Sequence, residues 1–172
     1  MSCTELTLFA DYFQFYLQDE GADGDLSDSW TDQAVADLLA LAPGAIGVGT
    51  VRNMTVPVVV EVLDAPPSGS FDDWDHVAEC SISVPSGRLV VAGCTDYFPE
   101  ARRIEVPPGT YRARVFYGRL TSVSSDGLEG DDHYKVSLWP QPEAASAVLK
   151  RRLDTPGSRL TSGIWTPPST KK

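Results

Sequence analysis

Apolar positions along this chain come in short bursts, and proline, glycine and small polar residues punctuate them. From His76 onward the rhythm is regular: HVAECSISV, RLVVAGC, RRIEV, TYRARVFY and HYKVSLW are β-rich runs separated by PSG, DYFPEA, PPG and a polar loop. In TYRARVFY, Tyr111, Ala113, Val115 and Tyr117 fall on one face and Arg112 and Arg114 on the other, the period of two that marks a half-buried strand. Upstream, LTLFADYFQFYL (6–17) reads as one long strand or two with a kink. AIGVGTV and TVPVVVEVLDA read as further strands, and Val58, Val59 and Val60 in succession suggest burial on both faces.

One segment has a different period. Thr31 or Ser29 can cap a helix whose apolar side carries Ala34, Val35, Leu38, Leu39 and Leu41, stopped by Pro43 and Gly44. Many short strands with turns between them and one added helix predict a mainly β fold, an antiparallel β-sandwich with a short α-helix near the N-terminal third. Residues 1–140 are expected to form that domain, at a length that suits one core better than two. Residues 141–172 change character. They permit one short helix, and the remainder is a basic, Pro/Ser/Thr-rich tail expected to be irregular or loosely docked.

Charge sharpens this picture. The net charge is −10, and no lysine or arginine occurs before Arg52. The end reverses the sign, with Lys150, Arg151, Arg152, Arg159, Lys171 and Lys172 against Asp154 alone. An acidic body argues against direct nucleic-acid binding and fits a cationic partner, a metal or simple solubility. The N-terminus has acids where a signal peptide needs bases, no apolar run is long enough to span a membrane, and three cysteines form no metal-type spacing. A cytoplasmic protein is the expectation.

Candidate chemistry is sparse. His76 in DDWDH and His133 in GDDHY each neighbour aspartates, but adjacent strand residues such as Asp132 and His133 point to opposite faces; surface or edge histidines are expected. Asp19, Asp23, Asp25 and Asp28 lack the order of a calcium loop. Cys94 has Asp96 beside it, which opposes thiolate formation, and Cys80 and Cys94 lie nearly symmetrically about Gly87, as two buried thiols on a hairpin would. GAIGVG follows a helix and precedes a strand, the reverse of a dinucleotide fingerprint. The expectation is a protein without catalytic residues, cofactor or metal.

What remains is acid beside aromatic. Three clusters stand out: Asp19, Glu20, Asp23, Asp25 and Asp28 before Trp30; Asp72, Asp73 and Asp75 around Trp74; and Glu129, Asp131 and Asp132 before His133. Aromatic anchors with a charged surround suit a protein interface, so these residues are the expected partner-binding set. A carbohydrate- or metal-binding sandwich, with aromatics as stacking platforms, is the alternative.

The order Tyr12-x-Gln14-Phe15, then Trp30-Thr31-Asp32-x-Ala34, Gly44-Ala45-Ile46 and Arg52-Asn53 resembles the competence protein J family. Val84-Pro85 and Val106-Pro107-x-Gly109-x-Tyr111 are similar to the family's later strands, and the likeness spans roughly residues 6–139. The resemblance implies an acidic, non-enzymatic inhibitor that silences a partner nuclease. It also implies structural roles for most matched residues: Thr31 as a cap, Gly44 as a helix stop and Trp30 as packing. The acidic loop 19–28, CTDYFPEARR and the tail after Pro140 depart from the pattern, leaving open a competence nuclease, a nuclease toxin or another protein as partner.

Overall fold

A computed structural model describes residues 1–153. In chain order the strands are β1 (Ser2–Phe9), β2 (Gln14–Asp19), β3 (Leu39–Ala42), β4 (Ala45–Gly49), β5 (Thr55–Val62), β6 (His76–Val84), β7 (Arg88–Gly93), β8 (Arg102–Glu105), β9 (Gly109–Gly118), β10 (His133–Pro140) and β11 (Ala147–Lys150), with one helix, α1 (Asp32–Asp37), between β2 and β3. They form a six-stranded sheet, β1-β5-β10-β9-β6-β11, packed against a five-stranded sheet, β3-β4-β2-β7-β8. Neighbours run antiparallel except β5 and β10, which are parallel.

Alternation decides what lies between the sheets. Tyr111, Ala113, Val115 and Tyr117 of β9 face inward with Val56, Val58 and Val60 of β5 and Val136 and Leu138 of β10. Phe15 and Leu17 of β2, Ile46 and Val48 of β4, and Leu89 and Val91 of β7 meet them from the other sheet. On the outer face Arg112 and Arg114 grip Glu79 of β6 at 2.7 and 2.8 Å. Val59 is only half-buried, so β5 has one core face and not two.

The 6–17 run is two strands in different sheets. The chain turns at Asp11–Phe13, where Tyr12 and Phe13 both hold φ near 57°. Such φ values are costly for bulky side chains, and here hydrogen bonds from Phe13 N to Ala10 O and from Thr50 N to Phe13 O fix the corner.

Thr31 caps α1, its hydroxyl accepting from Ala34 N at 3.1 Å. The helix ends earlier than its leucine pattern predicts. Leu38 takes the left-handed conformation, and its N–H reaches back to Ala34 O and Val35 O. Leu39–Ala42 then pairs with β4, and Leu39 enters the core. Sheet pairing therefore wins over helical spacing, and Pro43 and Gly44 form a hairpin turn and not a helix stop. The PSG turn likewise sends β6 and β7 into separate sheets, so Cys80 and Cys94 do not face each other; Cys80 is buried and Cys94 exposed. Past position 140, the segment that permits a helix instead forms β11 along β6. The rest of the tail lies outside the described residues.

Two tyrosines of the six-stranded sheet tie the layers together. The Tyr117 hydroxyl donates to Leu38 O, and the Tyr134 hydroxyl donates to Asp132 while accepting from Val51 N. Asp132 also meets Arg52 Nε at 2.9 Å in a buried ion pair. His76, expected at the surface, is buried as well: its Nε2 donates to Asp37 O at 2.8 Å and its Nδ1 accepts from Arg152 N at 3.2 Å.

Candidate functional site

Strand β2 runs through the middle of the five-stranded sheet, so its outward residues Gln14, Tyr16 and Gln18 form the floor of whatever covers that face. The acidic loop after β2 is one wall. It is ordered by its own chemistry: Asp19 is buried, accepting from Gly21 N and, across the sheets, from Ser86 N and Oγ. Gln18 Nε2 donates to Ala22 O at 3.1 Å, and Gly24, at φ 65°, passes directly over the Gln18 amide, where a Cβ would collide. The loop then drops Leu26 and Trp30 onto Ala40 and Ala45, a small satellite core on the outer face. Trp30 Nε1 donates to Gln14 Oε1 at 2.8 Å.

The opposite wall is the turn after β7, with Cys94 and Phe98, and Tyr12 closes one end. Between the walls lies an open groove of about 490 Å³ lined by Gln14, Tyr16, Gln18, Trp30, Phe98 and Asp23, among others. It mixes aromatic surface with a few polar groups, the make-up of a recognition site. Arg103 stacks behind Phe98 at 5.1 Å and binds three carbonyls of that turn, so this wall is braced too.

The electrostatics are one-sided. Nine acids and no base occur in the first 51 residues. Glu20 is neutralised by Arg88 and Arg103, whose hydrogen bonds hold its carboxyl below the usual range. Asp23, Asp25, Asp28 and Asp32 are exposed and take part in no ion pair among the described residues. Asp25 is held low by the Ser27 hydroxyl and amide. Inside the groove, burial and then the nearby Cys94 and Asp96 push the Tyr16 phenol up. Burial, with Asp11 and Asp96 adding to it, pushes the Cys94 thiol to about 11, which leaves it protonated and a poor nucleophile.

The other two clusters meet elsewhere. Trp74 packs on Phe116 and His133, each at 5.2 Å between ring centres, which brings 72–75 beside 129–133 at one end of the six-stranded sheet. Lys135 sits over Trp74 and Phe116. Asp75 accepts from Leu120 N, and Asp131 lies 3.5 Å from Arg119. Asp72, Asp73 and Glu129 remain exposed. Of the thirteen expected residues, Asp19 and Asp132 are therefore committed inside the protein, and Trp30 and Trp74 are half-buried with one side packed. Among the described residues no three His, Cys, Asp or Glu side chains converge as metal ligands.

Sequence reasoning missed Gln14, Tyr16, Gln18 and Phe98. The signal for three of them was present: they recur at every second position of QFYLQ, facing away from Phe15 and Leu17.

The fold defines a small two-sheet β-sandwich with an open groove on its five-stranded sheet. This architecture is that of ComJ from Bacillus subtilis, an inhibitor of the DNA degrading activity of NucA: the TM-score is 0.59 at 17% identity, over 82% of this chain and 96% of that one. The product of crocagin biosynthetic gene J shares it too, with a TM-score of 0.56 at 22% identity, over 81% of this chain and 97% of the other. No protein-family model matches the sequence, and no curated protein does.

Proposed function

We propose that this chain is a non-enzymatic inhibitor that binds a partner nuclease, of DNA uptake or of toxin type, through its acidic face. The observation that carries the reading is the fold shared with a nuclease inhibitor over nearly the whole described chain. The base-free acidic loop beside the groove supports it physically. A nuclease cleft is basic because it holds phosphates, and a rigid negative surface competes for that charge. Three unpaired cysteines suit a reducing compartment, in keeping with a cytosolic setting, and no helix of the described residues is long and apolar enough to cross a membrane.

The test is DNA degradation by NucA, and by any nuclease encoded beside this chain's own gene, with and without the purified protein. Suppression that saturates at a one-to-one ratio is expected for at least one of them. Degradation unaffected by a stoichiometric excess in every case overturns the proposal.

A further inference from the structure

We infer that the groove on the five-stranded sheet is the centre of the contact, and that it receives an extended, arginine-bearing loop of the partner protein. Shape is the first argument. The groove follows β2, and Gln14 to Gln18 spans about 13 Å at the ordinary strand rise, so the floor suits a few residues of extended chain.

Unmet hydrogen bonding is the second. Gln14 is 6% exposed, and Trp30 fixes its Oε1, which turns the amide one way round; its Nε2 finds no acceptor among the described residues. The Tyr16 hydroxyl likewise has no hydrogen-bond partner among them. The residue is packed on all sides but this amide nitrogen still opens to the groove, and a backbone carbonyl of an extended segment supplies the acceptor that the described residues do not.

Charge and aromatic surface are the third. Among the described residues Asp23 is the one charged side chain lining the groove, with Asp25 and Asp28 on the same loop. Rings of Tyr16, Trp30 and Phe98 flank the space. A planar guanidinium both stacks on rings and pairs with a carboxylate, whereas a compact ammonium does only the second well. Phe98 already accepts Arg103 in that manner.

The identity of the partner rests on the inhibitor reading; the groove's preference does not, so the two are tested separately. For the groove, the probes are the blocked peptide Gly-Gly-Arg-Gly-Gly, its norleucine counterpart, and maltose, added at millimolar concentration to the isotope-labelled protein. The arginine peptide is expected to shift the Trp30 indole N–H and the Gln14 side-chain amide saturably, leaving the Trp74 and Trp139 indoles unmoved. It should bind about threefold to tenfold tighter than the norleucine peptide, and Asp23→Asn should erase that difference. Absence of saturable shifts in the groove, equal binding of norleucine, or binding of maltose alone overturns the assignment.

With an inhibited nuclease in hand, Tyr16→Ser and Phe98→Ala should weaken inhibition at least tenfold, their folding checked by near-ultraviolet dichroism. Either variant unfolding would leave Asp23→Asn, an exposed isosteric change, to decide. If the wild type inhibits and all three variants do so equally, the groove assignment falls while the inhibitor reading stands. If the groove binds the arginine peptide and no nuclease is inhibited, the inhibitor reading falls and the groove remains.

Discussion

Trp30 Nε1 donates to Gln14 Oε1 across 16 positions of sequence, and this bond pins the acidic loop to the sheet. Gly47 lies directly beneath the indole: a Cβ there would come within 2.8 Å of Trp30 Cζ2 and 3.1 Å of Leu26. Gly47→Ala should therefore lift the tryptophan, cost about 1–3 kcal/mol of stability in chemical denaturation and red-shift indole emission. Unchanged stability and emission would mean that the loop does not rest on β4 as described.

Glu79 sits between Arg112 and Arg114 on the outer face of the six-stranded sheet. Burial pushes its carboxyl up, but the two arginine hydrogen bonds outweigh it and hold the group below the usual carboxylate range. Glu79→Gln strands two largely buried guanidinium groups and should cost about 3 kcal/mol. In the wild type this contribution is complete above the unfolded-chain value near 4.5 and fades as pH falls below it. Thermal melts of both proteins across that range check it, with the largest gap expected near neutrality.

His76 has both ring nitrogens engaged as a neutral imidazole, Nε2 giving to Asp37 O and Nδ1 taking from Arg152 N. Burial lowers its pKa, and the charges of Arg152 and Arg151 lower it further. The unfolded chain thus binds a proton that the native state refuses, so stability should decline as pH drops from about 6.5. His76→Gln should flatten that slope. An equal slope in variant and wild type would assign the acid sensitivity to other groups.

Thiol chemistry distinguishes the three cysteines. Cys3 and Cys94 are exposed and Cys80 is buried; burial pushes the Cys80 thiol to about 12, and partial burial of the sulfur with Asp11 and Asp96 nearby holds Cys94 at about 11. Under native conditions near pH 8 an aromatic disulfide reagent should label Cys3 first, Cys94 slowly, and Cys80 only after unfolding. Rapid labelling of Cys94 would contradict the environment described for the groove wall.

Much of this was legible in the sequence, and the failures have physical causes. Strands β6 to β10 announce themselves as short β-rich runs between turn signals, and β9 adds a clean alternation in Tyr111, Ala113, Val115 and Tyr117. Sheet membership does not, because the turn Pro85–Gly87 reads the same whether it closes a hairpin or crosses between layers. Leu38, Leu39 and Leu41 satisfy a helical period and a strand period together, and only pairing with β4 decides between them. Asp19 and Asp132 look like their neighbours in acidic runs. Their commitment depends on Ser86, 67 positions away, and on Arg52, neither of which local composition can reveal.

The exposed carboxylates of the loop bear on the proposed function most directly. Asp23, Asp25 and Asp28 are exposed on one short loop and take part in no ion pair among the described residues. Changed together to asparagine, they keep the loop's shape, since the amide carbonyl that replaces the Asp25 carboxylate can still accept from Ser27. Stability should therefore move by less than about 0.5 kcal/mol. Association with an inhibited nuclease should slow by about tenfold at low salt, and its dependence on ionic strength should flatten, because rim charges act chiefly on the encounter. Glu129→Gln with Asp131→Asn, at the far end of the six-stranded sheet, serves as the comparison and should leave both rates unchanged. If that pair slows association and the loop triple does not, the nuclease meets the Trp74 end of the molecule and not the groove.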